Sequence, residues 1–228
     1  MLYGAAHGLT AAHARRIRRA MQTIDLNLDG FTDLPAGKIA NIATCLQMFA
    51  IPETHQPRAA PPGFSLQPLA GSNLARYRAL FRAVGEPWLW FSRLCWDDAR
   101  LAATLDDPDV EAFALSGPNG DAGILEFDFR VPGAVELAFF GLVPDAVGSG
   151  LGRYLMAEAV TRAFARGPRR FWVHTCTLDH PAALPFYRKA GFVPWKRQIE
   201  VADDPRLCGI ASPQAAPHIP LIAAADER

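Results

Sequence analysis

The sequence has no excess charge, because 23 lysines and arginines balance 23 aspartates and glutamates in 228 residues. Non-specific binding to nucleic acid depends on an excess of clustered cations, so the composition argues against a nucleic-acid partner. Cysteine is scarce as well: four residues are present, and none has the Cys-x-x-Cys spacing. This pattern predicts neither a disulfide framework nor a zinc finger, and it favours a reducing, cytoplasmic environment.

Long hydrophobic runs are also missing. No stretch approaches the ~20 apolar residues that a membrane helix needs, and even the apolar segment Val135 to Val143 has only the length of a strand. Between Met1 and Met21 the arginines follow the apolar residues, whereas a secretory signal starts with its basic residues. We therefore expect no membrane partner; an organellar transit peptide at this Arg-rich start stays an alternative.

The chain is longer than one typical domain of ~100 to 200 residues, and a cluster of prolines marks a boundary near residue 62. We predict a helical extension and linker over 1–62, a main domain over 63–202, and a Pro/Ala-rich tail over 203–228. Within the extension, one helix is predicted from Ala11 to Thr23. A second is predicted from Lys38 to Phe49, where apolar residues recur at intervals of three and four.

Beyond residue 63 the strand and helix patterns alternate. Strands are predicted at Phe64 to Leu69, Val110 to Leu115, Ala122 to Arg130, Val135 to Val143, Arg170 to Thr177 and Trp195 to Val201. Helices are predicted at Leu74 to Val84, Asp97 to Leu105, Gly150 to Ala165 and Pro181 to Ala190. Turn residues separate the second, third and fourth strands, which therefore form an antiparallel meander.

Three glycines, Gly148, Gly150 and Gly152, lie between the fourth strand and the helix that follows it. Glycines at such a turn let successive backbone N–H groups converge on an anion, and the helix N-terminus adds partial positive charge. The pattern predicts a phosphate-bearing ligand, with a plain loop as the alternative. Neither a P-loop nor a dinucleotide fingerprint fits, because Arg153 follows the last glycine and Leu155 is not a glycine.

A longer pattern contains these glycines. It reads Leu142-x-Pro144-x-x-x-Gly148-x-Gly150-x-Gly152 and is followed, after a helix and a strand, by Ala183-x-x-x-Tyr187-x-x-x-Gly191-Phe192. From Phe64 to Val201 the chain resembles the GNAT superfamily of acetyl-CoA-dependent N-acetyltransferases. The resemblance implies an α/β fold with a central, mostly antiparallel mixed sheet flanked by helices. In that fold the fourth predicted strand splays from the fifth, and pantetheine lies in the gap.

The resemblance also implies a set of residues that bind coenzyme A through the turn and the end of the preceding strand. They are Leu142, Val143, Val147, Gly148, Gly150, Leu151, Gly152, Arg153 and His180. The family usually has arginine or glutamine where this chain has Val147, so Arg153 is a candidate for the missing charge. It often has asparagine where this chain has His180, which could instead cap the helix that follows.

Acetyl transfer from a thioester to an amine needs a proton acceptor, a stabilised oxyanion and a proton for the thiolate. A carboxylate within an apolar strand is costly unless it is exposed or functional, and by resemblance Glu136 is the general base, acting directly or through water. Glu126 and Asp128 on the neighbouring strand could replace or assist it. Tyr187 is the implied general acid, and the Leu142 backbone N–H is the implied oxyanion donor. The alternatives are a solvated strand-end glutamate and a core tyrosine.

Trp88, Trp90 and Arg93 fall in the region that overhangs the acceptor pocket in the family. Together with Glu126 they are candidate substrate contacts, selective for an aromatic or acidic acceptor, with a role in the core as the alternative. His174, Cys176 and His180 could be read as metal ligands, but no fourth ligand lies at a suitable spacing. We therefore predict no metal site.

The sequence as a whole predicts a cytoplasmic enzyme that acetylates a primary amine of a small molecule or a peptide, using acetyl-CoA. The alternative from another class is a non-catalytic module that binds acyl-CoA or a protein partner. The oligomeric state is left open, a homodimer included.

Overall fold

The computed structural model describes residues 23–223. The chain divides into two compact units, Met1–Leu34 and Pro35–Arg228. In the described part of the first unit, the Asn27 N–H donates to the Thr32 hydroxyl at 2.8 Å and closes a turn. The helix predicted from Ala11 lies outside the described residues, except for Thr23 at its end.

The described part of the second unit contains seven strands and four α-helices. The strands are β1 (Lys38–Met48), β2 (Ser65–Pro68), β3 (Val110–Gly117), β4 (Gly120–Asp128), β5 (Ala134–Leu142), β6 (Arg170–Cys176) and β7 (Val193–Asp203). The helices are α1 (Leu74–Gly85), α2 (Asp98–Leu105), α3 (Leu151–Ala165) and α4 (Ala183–Lys189). One sheet holds all seven strands in the order β2-β3-β4-β5-β6-β1-β7. Every neighbouring pair is antiparallel except β5 and β6. The predicted mixed, mostly antiparallel sheet is therefore confirmed.

The prediction of a helix from Lys38 to Phe49 is wrong. This segment is β1, which pairs antiparallel with β6 on one side and with β7 on the other. Its alternate residues Ile39, Asn41 and Ala43 are buried, which is the period of a strand. Short apolar runs do not distinguish the two periods, and the two open strand edges supply the hydrogen bonds that favour the extended form. Part of the predicted extension thus belongs to the sheet.

Two apolar layers cover the sheet, one on each face. On one face Leu151, Leu155 and Ala159 of α3 pack with strand residues such as Phe127. On the opposite face α1 and α2 pack against β3 and β4, with Phe81 among the fully buried residues. Alternate residues of β4 pack into one layer and then the other, as expected for a strand that is buried on both sides.

A β-bulge in β5 shifts the alternation of its side chains between the two faces of the sheet. Glu126 of β4 pairs with Phe139, and the next residue of β4 pairs with Leu137, so Ala138 has no partner in the pairing. Leu137 packs in the α3 layer, whereas Phe139 packs against the α1 and α2 layer. The bulge also brings Phe140 back to the α3 and α4 side, where it contacts Phe186 at a ring distance of 5.7 Å.

The predicted tail folds onto the domain around one buried arginine. The Arg206 guanidinium donates to both carboxylate oxygens of Asp204, and to the carbonyls of Ala215 and Ile219. A small apolar cluster forms where the tail meets the rest of the unit. Its buried members are Ile39, Leu89, Leu178, Ala211, Ala215 and Ala216. These contacts fix the tail to the surface of the main domain.

Candidate active site

The parallel strands β5 and β6 separate partway along their length. They are paired from Ala134 and Arg170 to Glu136 and Trp172, and not beyond in the described part of the chain. The remainder of β5, up to Leu142, therefore has β4 on one side and an open gap on the other. This is the splayed pair of strands that the sequence predicts.

The end of β5 presents backbone groups to this gap. The Val143 N–H donates to the Ala122 carbonyl at 3.0 Å, and its carbonyl accepts from the Ala146 N–H at 2.9 Å. Because successive residues of a strand direct their N–H and C=O groups to opposite edges, those of Leu142 face the gap. This corrects part of the prediction: the backbone of Val143 is engaged within the chain, and Leu142 is the residue that can pair with an extended ligand.

The three glycines lie at one end of the gap: Gly148 and Gly150 form the turn before α3, and Gly152 is in the first turn of that helix. Gly148 and Gly150 have positive φ angles of 84° and 91°, a conformation that favours glycine. The N–H groups of Gly148, Gly150 and Gly152 donate to no acceptor within residues 23–223. A Cβ at Gly148 would meet no atom within 4 Å. The turn and the helix N-terminus together form a site at which an anion can be bound.

The other residues predicted around this turn differ in exposure. Arg153 is exposed, and its Nη2 atom would lie 3.4 Å from a Cβ on Gly150, so the guanidinium lies beside the turn. Val147 is half exposed, and its N–H donates to the Pro144 carbonyl at 3.1 Å. The Leu151 side chain is buried in the core, and its N–H donates to the Ser149 hydroxyl at 3.3 Å. Arg153 thus provides a positive side-chain charge beside the turn.

Tyr187 of α4 is buried, with its ring near those of Phe140 and Phe192 at centroid distances of 6.0 Å. Among residues 23–223, no group hydrogen-bonds to its hydroxyl. Burial and the negative charge of Asp179 raise the pKa of Tyr187 above its usual value of 10.0. The phenol therefore stays protonated at neutral pH and has its proton available to a ligand.

Glu136 lies where β5 and β6 separate, and its carboxylate is near an imidazole. Oε1 of Glu136 is 3.5 Å from Nδ1 of His174 on β6. Hydrogen bonding to Glu136 raises the pKa of His174 above 6.5, and the charges of Asp179 and Glu200 add to this effect. From the sequence, Glu136 was predicted as the general base, whereas His174 was considered only as a possible metal ligand.

The GNAT acetyltransferase family model matches residues 76–192, which contain the gap, the glycine turn and α4. The chain belongs to the GNAT family. No curated protein matches the sequence significantly.

Solved structures add evidence for the GNAT fold. A GCN5-related N-acetyltransferase from Sphaerobacter thermophilus is 15% identical with a TM-score of 0.54, over 72% of this chain and 52% of that one. A Drosophila protein is 9% identical with a TM-score of 0.53, over 72% of this chain and 51% of that one. The chain thus spans about half of each neighbour, and identities this low establish the fold alone.

Within the GNAT domain, Glu126 and Arg93 form an internal ion pair. Glu126 is 0% exposed and Arg93 is 8% exposed. The Arg93 Nη2 donates to Oε1 of Glu126 at 2.6 Å, and the Tyr77 hydroxyl donates to Oε2 at 2.5 Å. Both carboxylate oxygens are therefore engaged away from solvent. This corrects the expectation of direct substrate contacts, since any ligand would have to displace these bonds.

Asp128, the other alternative to Glu136, is paired with an arginine. It lies opposite Glu136 in the β4–β5 register, and its carboxylate accepts from the Arg130 side chain. Burial opposes the effect, but hydrogen bonds from Arg130 lower the pKa of Asp128 below 3.8. Asp128 is therefore a poorer proton acceptor than an unpaired carboxylate.

The two tryptophans bridge the segment after α1 and the loop after β6. The Trp90 Nε1 donates to Oδ1 of Asp179 at 3.0 Å. Trp88 lies between His180 and His218, at ring distances of 5.0 and 5.6 Å. His180 also accepts a hydrogen bond at Nδ1 from the Ala182 N–H at 3.0 Å. This bond lies in the turn before α4, whose N-cap residue is Ala182 without a side-chain cap, so the helix-capping role that the sequence left open is not seen.

Asp179 is a central residue of this region that the sequence did not single out. Its Oδ2 accepts from the Thr175 hydroxyl at 2.7 Å and from the Cys176 N–H at 2.8 Å. An acidic residue between a strand and a helix was a detectable signal, because such residues often form turns and caps. Its position beside Tyr187 depends on the packing of α4, which the sequence does not specify.

Two further findings concern residues 23–223 only. They contain no group of three or more histidine, cysteine, aspartate or glutamate side chains arranged to hold a metal ion. None of the helices within this range has the length and apolar character needed to cross a membrane.

Proposed function

We propose that this protein transfers an acetyl group from acetyl-CoA to a primary amine in a ternary complex. The observation that carries the proposal is the continuity of one binding path. The gap-facing backbone of Leu142 leads to the three unpaired glycine N–H groups. Glu136 lies on β5 where the gap begins, and Tyr187 packs against Phe140 of the same strand. Membership of the GNAT family supports acetyl transfer as the reaction.

The residues at the gap fit coenzyme A. The N–H groups of Gly148, Gly150 and Gly152 are available to a pyrophosphate, with the Arg153 guanidinium beside them. The Leu142 N–H and C=O suit the amides of a pantetheine arm, in the way that neighbouring strands pair. When bound, acetyl-CoA supplies a thioester carbonyl that an amine can attack. His180, at the start of the segment that leads to α4, is a further candidate contact.

In this proposal, side chains and one backbone N–H of the protein accept and donate the hydrogen bonds and protons that acetyl transfer requires. Glu136, with its carboxylate partly exposed at the point of separation, takes a proton from the amine, directly or through water. The Leu142 N–H is the donor available to negative charge on the acyl oxygen. Tyr187 provides a proton to the departing thiolate, and its raised pKa ensures that the proton is present.

The acceptor is a primary amine of a small molecule or a peptide. Trp88 and Trp90 are partly exposed and lie over the side of the gap near Asp179 and His180. They are the side chains available to contact an acceptor, whereas the buried Arg93 lies over the Phe139 ring, which in turn contacts Trp90. In this proposal, Glu126 holds Arg93 in place, and Arg93 influences the acceptor only through Phe139 and Trp90.

The experiment has a binding arm and a turnover arm. Calorimetry with acetyl-CoA measures binding, and thiol release with a panel of primary amines measures turnover. We expect binding and turnover in the wild type, and in Glu136→Gln unchanged binding with a turnover that is strongly reduced but still measurable. A protein that binds no acyl-CoA overturns the proposal. Binding without turnover on any small amine or peptide favours a non-catalytic acyl-CoA-binding module instead.

A further inference from the structure

We propose that His174 forms a proton relay with Glu136, receiving the proton that Glu136 takes from the acceptor amine and releasing it to solvent. The inference rests on the proposed function, because it concerns the route of that proton. His174 does not touch the amine in this scheme, so it is a positioning and relay residue.

The relay is located at the point where β5 and β6 separate. Glu136 and Trp172 are the last paired residues of the two strands. Side chains two residues apart on a strand share a face, so His174 follows Trp172 on the face that carries Glu136. The rings of Trp172 and His174 are 6.2 Å apart. The Glu136 carboxylate and the imidazole thus meet beside the gap, 3.5 Å apart.

The two side chains differ in their access to water. The Glu136 side chain is 25% exposed, whereas that of His174 is 47% exposed. A proton on Glu136 lies next to the gap, which a bound ligand would close off from solvent. A proton on His174 can leave through the exposed part of the ring. The direction of transfer from Glu136 to His174 therefore follows from accessibility.

The charges around His174 favour its protonated form. Glu136 faces it from β5, Asp179 from the loop after β6, and Glu200 from β7, and all three raise its pKa. Cys45 of β1 is its register partner. Two cations are near that cysteine and are held over tryptophan rings: Arg170 of β6, and Lys196 of β7. Because its neighbours raise the pKa of the imidazole, His174 binds a proton more strongly than a solvated histidine does, and it returns the proton to water above that pKa.

The relay moves one proton and no electrons. The amine loses a proton to the Glu136 carboxylate as its nitrogen bonds to the acyl carbon; the C–S bond of the thioester breaks, and the thiolate takes a proton from Tyr187, which regains one from water. The protonated Glu136 then gives this proton to Nδ1 of the neutral His174 ring, which becomes an imidazolium. The imidazolium loses a proton to water and returns to the neutral form. The Glu136 carboxylate is thereby restored for the next turnover.

The kinetic test compares His174→Gln with His55→Gln, a matched control. His55 is bonded to the Thr161 hydroxyl, outside the gap. We expect His174→Gln to lower kcat at least about tenfold above pH 7.5 with KM within about twofold, and His55→Gln to change neither. Below pH 6 the His174→Gln rate should approach that of the control, because the wild-type imidazole is then protonated. The variants are compared with the same amine at the same pH, so that the protonation of the amine affects all the rates equally.

A double variant and a titration complete the test. Glu136→Gln combined with His174→Gln should be no slower than Glu136→Gln alone, since both residues serve one step. In NMR titrations, with the His174→Gln variant used to assign the signal, the His174 pKa should lie above 6.5 and should fall in Glu136→Gln. This titration reports the pairing without any activity.

The outcomes separate the relay from the proposed function. Equal rates for His174→Gln and His55→Gln, additive losses in the double variant, or a His174 titration unmoved by Glu136→Gln overturn the relay while leaving acetyl transfer in place. Absence of turnover on every amine tried with the wild type overturns both.

Discussion

The indole N–H of Trp90 donates a hydrogen bond to the carboxylate of Asp179 at 3.0 Å, and this bond joins the segment after α1 to the loop after β6. Trp90 follows α1, and its ring packs on Phe81 and Phe139. Asp179 lies in the loop between β6 and α4, beside Tyr187. One contact therefore connects the layer over β5 with the loop that leads to α4, the helix that carries the proposed acid.

Replacing Trp90 should weaken this connection. We expect Trp90→Phe to lower the free energy of unfolding by about 2 kcal/mol, the range for a bond to a charged group. Trp96→Phe is the control, because Trp96 is also half buried, yet its indole N–H bonds to nothing within residues 23–223. Urea unfolding measures both variants. Equal losses in the two variants would show that ring size, and not the bond to Asp179, carries the effect.

Two buried tyrosines should separate chemistry from stability. The Tyr187 hydroxyl bonds to nothing in the described residues, so Tyr187→Phe should keep the stability of the wild type and lose acetyl transfer. The Tyr77 hydroxyl donates to Glu126 at 2.5 Å. Tyr77→Phe should lose about 1.5 to 3 kcal/mol of stability and keep its turnover. Thermal unfolding and thiol release test this pair, and a Tyr187→Phe enzyme that remains fully active contradicts it.

The glycine turn should show its function through affinity. Gly148 and Gly167 have φ angles of 84° and 64°, and a Cβ on either would meet no atom within 4 Å. Alanine at either position should cost about 1 to 2 kcal/mol of stability, because its Cβ strains the left-handed backbone. Only Gly148→Ala should also weaken acetyl-CoA binding, by about tenfold, or about 1.4 kcal/mol. Calorimetry measures the affinity of each variant for acetyl-CoA. Equal affinities for the two variants would show that the turn does not bind the cofactor.

The stability that Asp204 contributes should depend on pH. Burial opposes the effect, but hydrogen bonds from Arg206 lower the pKa of Asp204 below 3.8. A lowered pKa stabilises the folded state fully above the unfolded pKa of ~3.9 and loses this effect as pH falls through the folded value. Asp204→Asn should therefore cost about 3 kcal/mol at pH 7, and progressively less below pH 4.

The control for Asp204 is Asp98→Asn, since the Asp98 side chain is 82% exposed and pairs with Arg78 on the surface. This substitution should change stability by less than about 1 kcal/mol. Urea unfolding at pH 7 and pH 3.5 measures both variants. A loss for Asp204→Asn that does not change with pH would contradict the assigned ion pair.

Most of the regular elements of the main domain could be predicted from the sequence. The strand patterns near residues 110 to 143 and 170 to 176 match β3 to β6 within a few residues. Local signals were sufficient there, because turn residues mark the ends and the apolar patterns are long. The glycine turn was predictable for the same reason: its conformation depends on residues that are adjacent in the chain.

By contrast, β1 and the buried pair of Glu126 and Arg93 could not be predicted. A helix was predicted over Lys38 to Phe49, but the open edges of β6 and β7 select an extended strand, and those edges are distant in sequence. Glu126 was a candidate to replace or assist Glu136, because it lies with Asp128 on one face of the neighbouring strand. Its burial became evident only when Tyr77 and Arg93 were placed against it.

The sequence by itself determined the family, the glycine turn and the order of the elements after residue 64, because these depend on short-range patterns. The tertiary structure alone decided that Leu142 and not Val143 faces the gap, that β1 completes the sheet, and that Glu136 lies beside His174. The physical reason is the same in each case. Hydrogen-bond direction, strand position and side-chain pairing depend on neighbours that only folding brings together.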